Sequence, residues 1–99
     1  MRTVALLVLL ATTVACGSGY YDSTVNAATA RLEQARSLGA ETEAPYEYYF
    51  AKEHLEEARL QASDSSYHDA ANYAETAETY AQKAIDKVRA NKSSSEAGK

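Results

Sequence analysis

From Tyr67 onward, the chain places Tyr67, Ala70, Ala74, Ala77, Ala81, Ala84 and Val88 at alternating spacings of three and four. Only an α-helix brings residues so spaced onto one face, and seven in register require that face to lie lengthwise against another helix. The two upstream segments answer it. Val25, Ala28, Leu32 and Ala35 share the spacing, as do Tyr48, Ala51, Leu55, Ala58 and Ala62, with Phe50 on a flank. Helices are predicted over about 22–38, 45–63 and 66–91. The stops between them are chemical. Gly39 supplies the left-handed residue after a last helical turn. Pro45 suits a first helical position, where its missing N–H is not needed. Ser63-Asp64-Ser65-Ser66 breaks the second helix, and Ser66 with Asp69 reads as a capping box for the third. Glu41 to Ala44 reads as the connection. No strand pattern competes, so the fold class is all-α: an antiparallel helical hairpin with a preceding third helix, a small three-helix bundle.

Alanine-rich seams let helices approach near the lower end of the usual 8 to 10 Å axial separation. Each alanine contributes little, because a buried methylene is worth only about 0.8 kcal/mol. Leu32, Leu55, Ile85, Val88 and tyrosines must therefore supply much of the core.

The start of the chain concerns address. Met1-Arg2 leads into the apolar run Val4 to Ala11, then Thr12-Thr13-Val14-Ala15-Cys16-Gly17-Ser18-Gly19. The run is too short for a bilayer, which needs roughly 20 apolar residues. A charged start, a short apolar stretch and small residues before the only cysteine make an export signal. Thr13-Val14-Ala15-Cys16 resembles the bacterial lipobox. That resemblance implies cleavage after residue 15 and a covalent diacylglycerol and acyl chain on Cys16, with no other cofactor. The alternative is an ordinary signal peptide that leaves a soluble chain with one free thiol. Residues 16–21 then form the lipidated cysteine and a flexible tether, residues 22–92 the helical domain, and residues 93–99 a Ser-rich disordered tail. Tyr20 and Tyr21, next to the tether, are placed to rest at the lipid interface. Gly17 after the cysteine, in place of Asp, favours the outer membrane by the sorting pattern of such lipoproteins. The expected location is the periplasmic face of that membrane.

Charge narrows the partners. From Cys16 onward, nine Lys and Arg stand against fourteen Asp and Glu, which argues against nucleic acid. Ten of the acids lie between Glu41 and Glu78, whereas Lys83, Lys87, Arg89 and Lys92 gather near the end of the third helix. Complementing the helix macrodipole explains that gradient; an anion or partner contact is the competing explanation. If Cys16 pins the start of the first helix, an up-down-up bundle points this basic end away from the lipid.

Catalytic chemistry is sparse. His54 and His68 are the only histidines. A metal site would need both beside Glu53, Glu57, Asp64 or Asp69, and their spacing shares no helix face. There is no nucleophile with a base and no phosphate loop, so an enzyme is not expected. The tyrosines are different: eight occur with no tryptophan, and Tyr73 and Tyr80 are seven apart on one face. Tyrosine buries apolar area while keeping its hydroxyl wet, which suits both the edge of an alanine seam and an interface. The candidate contact surface is Tyr46, Tyr49, Tyr73, Tyr80, Lys83 and Lys87.

Ala44-Pro45-Tyr46-Glu47-Tyr48-Tyr49, then Ala51, Leu55, Ala58-Arg59, Tyr67, Asp69-Ala70-Ala71 and the alanines to Ala84 resemble a family of small bacterial envelope proteins known as domain-of-unknown-function family 4398. The resemblance implies a lipoprotein or secreted helical hairpin, sometimes associated with OmpA-like peptidoglycan-binding domains, and no reaction. A looser similarity to tetratricopeptide repeats rests on Tyr67, Ala70, Ala74 and Ala77. It fails in the preceding helix, where His54, Glu57 and Ala58 occupy the expected signature positions, and one hairpin makes no array. The expected role is a non-enzymatic structural or protein-interaction module of the cell envelope. An OmpA-like protein, peptidoglycan or another copy of the chain are its expected partners. The alternative is a small ligand- or glycan-binding carrier using the tyrosine-rich faces.

Overall fold

The computed structural model describes residues 18–98; the expected signal sequence, Cys16 and Gly17 lie outside them. Among the described residues four helices follow in order: α1 (Ser18–Ser37), α2 (Ala40–Glu43), α3 (Pro45–Ser63) and α4 (Tyr67–Ala97). No strand occurs among the described residues. None of these helices is long and apolar enough to cross a membrane.

The predicted stripes form the core, in three layers. In the first, Tyr21, Ala58, Ala70 and Ala74 meet. In the second, Leu55 fills the space between Ala28 and Ala77, with Val25 and Leu32 partly buried beside it. The third joins Ala35, Tyr48, Ala84, Ile85 and Val88. Residue numbers rise together along α1 and α4 and fall along α3, so the topology is up-down-up. The long helix α4 packs against both others, while α1 and α3 touch each other less.

Gly39 ends α1 as expected, with φ of 90° and its N–H on the Arg36 carbonyl at 3.0 Å. Pro45 opens α3. Between them, the expected plain connection is the short helix α2, whose Ala40 and buried neighbour Ala44 close the far end of the core. Two small apolar residues four apart, flanked by exposed acids, were a buried helical turn too short to show periodicity.

Other expectations are corrected. The capping box is absent: Ser66 makes no side-chain cap bond, because the turn uses its backbone. Ser66 N–H reaches the Gln61 carbonyl and Ser65 N–H the Ala62 carbonyl, each at 2.9 Å, the paired bonds of a Schellman closure of α3. Ser65 carries the left-handed residue of that closure, with φ of 62°. A serine there bears steric strain that glycine lacks. Ser65→Gly should stabilise the fold by about 0.5 to 1 kcal/mol, raising the melting temperature by a few degrees; calorimetry of the two proteins checks it.

Tyr67 was expected on the buried stripe but is exposed. It stands before the first alanine of the seam, its ring 5.9 Å from that of Tyr21. Tyr21, expected at the lipid interface, is buried instead. Its packing extends the seam upstream, so α1 is helical from Ser18, in the segment expected to be tether. At the other end, α4 continues through Ala97, across most of the expected disordered tail. Its residues from Arg89 on are all exposed. Once nucleated by the seam, a helix extends at little cost. Lys83 to Lys92 therefore do not lie in the last turn, which holds no basic residue, and the macrodipole accounts poorly for them.

Candidate functional site

The outward flank of the α3–α4 hairpin carries a chain of aromatic contacts. On α3, Tyr46, Phe50 and His54 follow one another four apart, a spacing that stacks side chains along a helix. The Tyr46 and Phe50 rings lie 5.9 Å apart. Phe50 stacks on His54 at 4.0 Å and 23°. Phe50 also meets Tyr80 of α4 at 4.1 Å, and His54 meets Tyr73 at 5.9 Å. Lys83 Nζ lies 4.4 Å from the Tyr80 ring centroid, a cation–π contact. Backbone bonding fixes the His54 ring further, because Nδ1 lies 2.9 Å from the Phe50 carbonyl.

Four of the six tyrosine and lysine positions predicted for a contact surface, Tyr46, Tyr73, Tyr80 and Lys83, thus come together. Lys87 borders them and is tied across the hairpin to Glu47 at 3.3 Å. Tyr49 is not brought to them. Its ring lies 5.1 Å from that of Tyr48, with Lys52 nearby at 6.0 Å. Cys16, the predicted lipidation site, lies outside the described residues.

Phe50 and His54 complete the strip, though neither is among the six candidate contact residues. The signal was in the sequence: Tyr46, Phe50 and His54 repeat at four-residue intervals beside the alanine stripe. The strip continues into an open groove of about 470 Å³ lined by His54, Gln61, Asp69, Asn72, Tyr73 and Thr76. Two rings, His54 and Tyr73, share the lining with amides, a hydroxyl and a carboxylate. Among the described residues, no group of three or more His, Cys, Asp or Glu is placed to hold a metal ion.

On the other side of α4, polar contacts bind α1. Arg31 Nε reaches Glu78 at 3.3 Å, Arg31 donates to Gln82, and the Tyr20 hydroxyl donates to Glu75. Exposed pairs of this kind contribute little stability; they fix the azimuth of α1 against α4. The stripe alanines are buried within the single chain, except Ala62 near the end of α3, which is partly buried.

One titrating group stands out. Burial raises the pKa of Tyr48 above its usual value near 10, helped by the charge of Glu41. The Tyr48 hydroxyl donates to Glu41 Oε1 at 3.3 Å, which also favours the neutral phenol. The unfolded chain loses this proton near pH 10 while the native state retains it. Stability should therefore fall as pH climbs through about 10 and level off above the native pKa. Urea midpoints at pH 8 and near 10.5 should show a smaller loss for Tyr48→Phe than for the parent.

No curated protein and no solved structure was found to match the chain. A family model does, over residues 23–99, from just after the start of α1 through all of α3 and α4. With that match spanning most of its length, the chain belongs to the family described as Domain of unknown function (DUF4398).

Proposed function

We propose that this protein is a non-enzymatic lipoprotein of the bacterial outer membrane that acts as a structural or interaction module, presenting the α3–α4 aromatic strip to an envelope partner. The strip carries this reading. A helix pair that needed only a sealed seam has no use for a row of partly exposed rings alongside it, with Tyr46 65% exposed. Aromatic side chains supply interface area at low entropy cost. The lipobox-like Thr13-Val14-Ala15-Cys16 supports the anchor, and the up-down-up topology supports its orientation. The chain's N-terminal end would face the lipid, and the projecting end of α4, with Arg89 and Lys92, would point away.

Anchoring is tested by mass. The mature protein should begin at Cys16 and carry diacylglycerol and an acyl chain, and Cys16→Ser should move it from the membrane fraction to the soluble one. An unmodified N-terminus, or a Cys16→Ser protein still in the membrane, would overturn the anchor. The contact face is tested separately by photocrosslinking in intact cells from Tyr73 and Tyr46, with Tyr49 as the off-strip control.

A further inference from the structure

We infer that the strip and the groove beside it form a binding site for a neutral, linear saccharide; this deepens the proposed contact face by naming the chemistry of what it holds. Three observations converge. The first is the line of rings. Tyr46, Phe50 and His54 advance along α3 by about 6 Å per step, close to the length of one pyranose unit; Phe50, packed between His54 at 4.0 Å and Tyr80 at 4.1 Å, is the fixed support of the row, and the rings open to a ligand are exposed Tyr46 and groove-lining Tyr73. Such rings are held in place before any ligand arrives, so little ordering cost attends binding. The C–H face of a pyranose packs on an aromatic face through apolar contact, aided by the ring's negative quadrupole.

The second is the polar lining where the rings end. Tyr73 shares the groove with Gln61, Asn72 and Asp69. Amides both donate and accept and a carboxylate accepts in pairs, the complement needed for vicinal hydroxyls and acetamido groups. The third is charge. Asp69 in the groove, with Glu57 beside Gln61 at 2.9 Å, disfavours an anion there. The nearby cations are engaged, Lys83 on Tyr80 and Lys87 on Glu47. An anionic polymer, phosphorylated or uronic, is a poor fit, and a purely apolar ligand would leave the amides and carboxylate without partners.

The test is an NMR titration of the isotopically labelled full chain in detergent micelles with tetra-N-acetylchitotetraose. Cellotetraose and tetragalacturonate serve as the neutral and anionic comparisons. Saturable shifts are expected at Tyr46, Phe50, Asn72 and Tyr73 with a neutral oligosaccharide. Tyr46→Ala and Asn72→Ala, both at exposed positions, should each weaken binding by about fivefold, the scale of one lost contact. Tyr49→Ala should leave it unchanged. No saturable shift with either neutral oligosaccharide at millimolar concentration would overturn the assignment, as would binding by both variants as tight as the parent's or tighter binding of the galacturonate. If the sugars fail while in-cell crosslinks from Tyr73 capture a discrete protein, the contact face stands and its saccharide chemistry falls. If neither gives a signal, both fall.

Discussion

Leu55→Ala should destabilise the bundle by about 2 to 5 kcal/mol, the usual cost of emptying a large aliphatic site in a core. Leu55 is 3% exposed and is the one large buried side chain in the middle layer, where its neighbours Ala28 and Ala77 have no side chain able to move into the gap. Domains of this size have total stabilities of only several kcal/mol. The variant should therefore show a urea midpoint far below the parent's or no cooperative transition. A midpoint within experimental error of the parent would mean that the middle layer is not a packed core.

Ala77→Leu is the opposite insult in the same layer. Ala77 is buried against Leu55 and Ala28, where the added atoms must displace α3 or α1 from the α4 seam. Overpacking of this kind costs about 1 to 3 kcal/mol. Because the two positions share one space, their effects should not add. The double variant Leu55→Ala with Ala77→Leu conserves volume and should be more stable than the sum of the single changes predicts, by about 0.5 kcal/mol or more. Strict additivity in a double-mutant cycle would show that the two side chains do not share a layer.

Much of this architecture was legible because a helix converts spacing into direction. Ala70, Ala74, Ala77, Ala81, Ala84 and Val88 were predicted as one buried line and are buried. Tyr48, Ala51, Leu55 and Ala58 behave likewise. Gly39 and Pro45 marked their boundaries because each has a backbone preference that few residues share. The failures share another origin. Tyr21, Tyr67 and Ser66 sit where helices begin or end, and what surrounds such residues is decided by how far a neighbouring helix reaches, which local spacing does not encode. Ala40 and Ala44 were unreadable because one helical turn has no period. The extension of α4 past Asn91 was missed for a different reason: Ser93-Ser94-Ser95 has weak helix propensity, yet it continues a helix already formed from Tyr67 onward.

The contact surface was half legible. Tyr73 and Tyr80 were paired by their separation of seven, and Tyr46 was named with them. Tyr49, three residues from Tyr46, was grouped with it by residue type, but its aromatic partner is Tyr48 and its cation Lys52, not Phe50 or Tyr80. Phe50 was placed on a flank without a partner. Its role is tertiary: the ring reaches across the hairpin to Tyr80, a contact that depends on the α3–α4 register.

The most direct test is photocrosslinking in intact cells with a photoreactive residue at Tyr73, at Tyr80 and at Lys87, and at Tyr49 as the control. Adducts would be identified by mass spectrometry. An envelope module working through the α3–α4 strip should give a discrete adduct, to peptidoglycan glycan or to one envelope protein, from Tyr73 and Tyr80 and far less from Tyr49. Adducts of equal yield from all positions, adducts only between copies of the chain, or none above an unreactive control would contradict it and leave the aromatic strip as packing at the edge of the alanine seam.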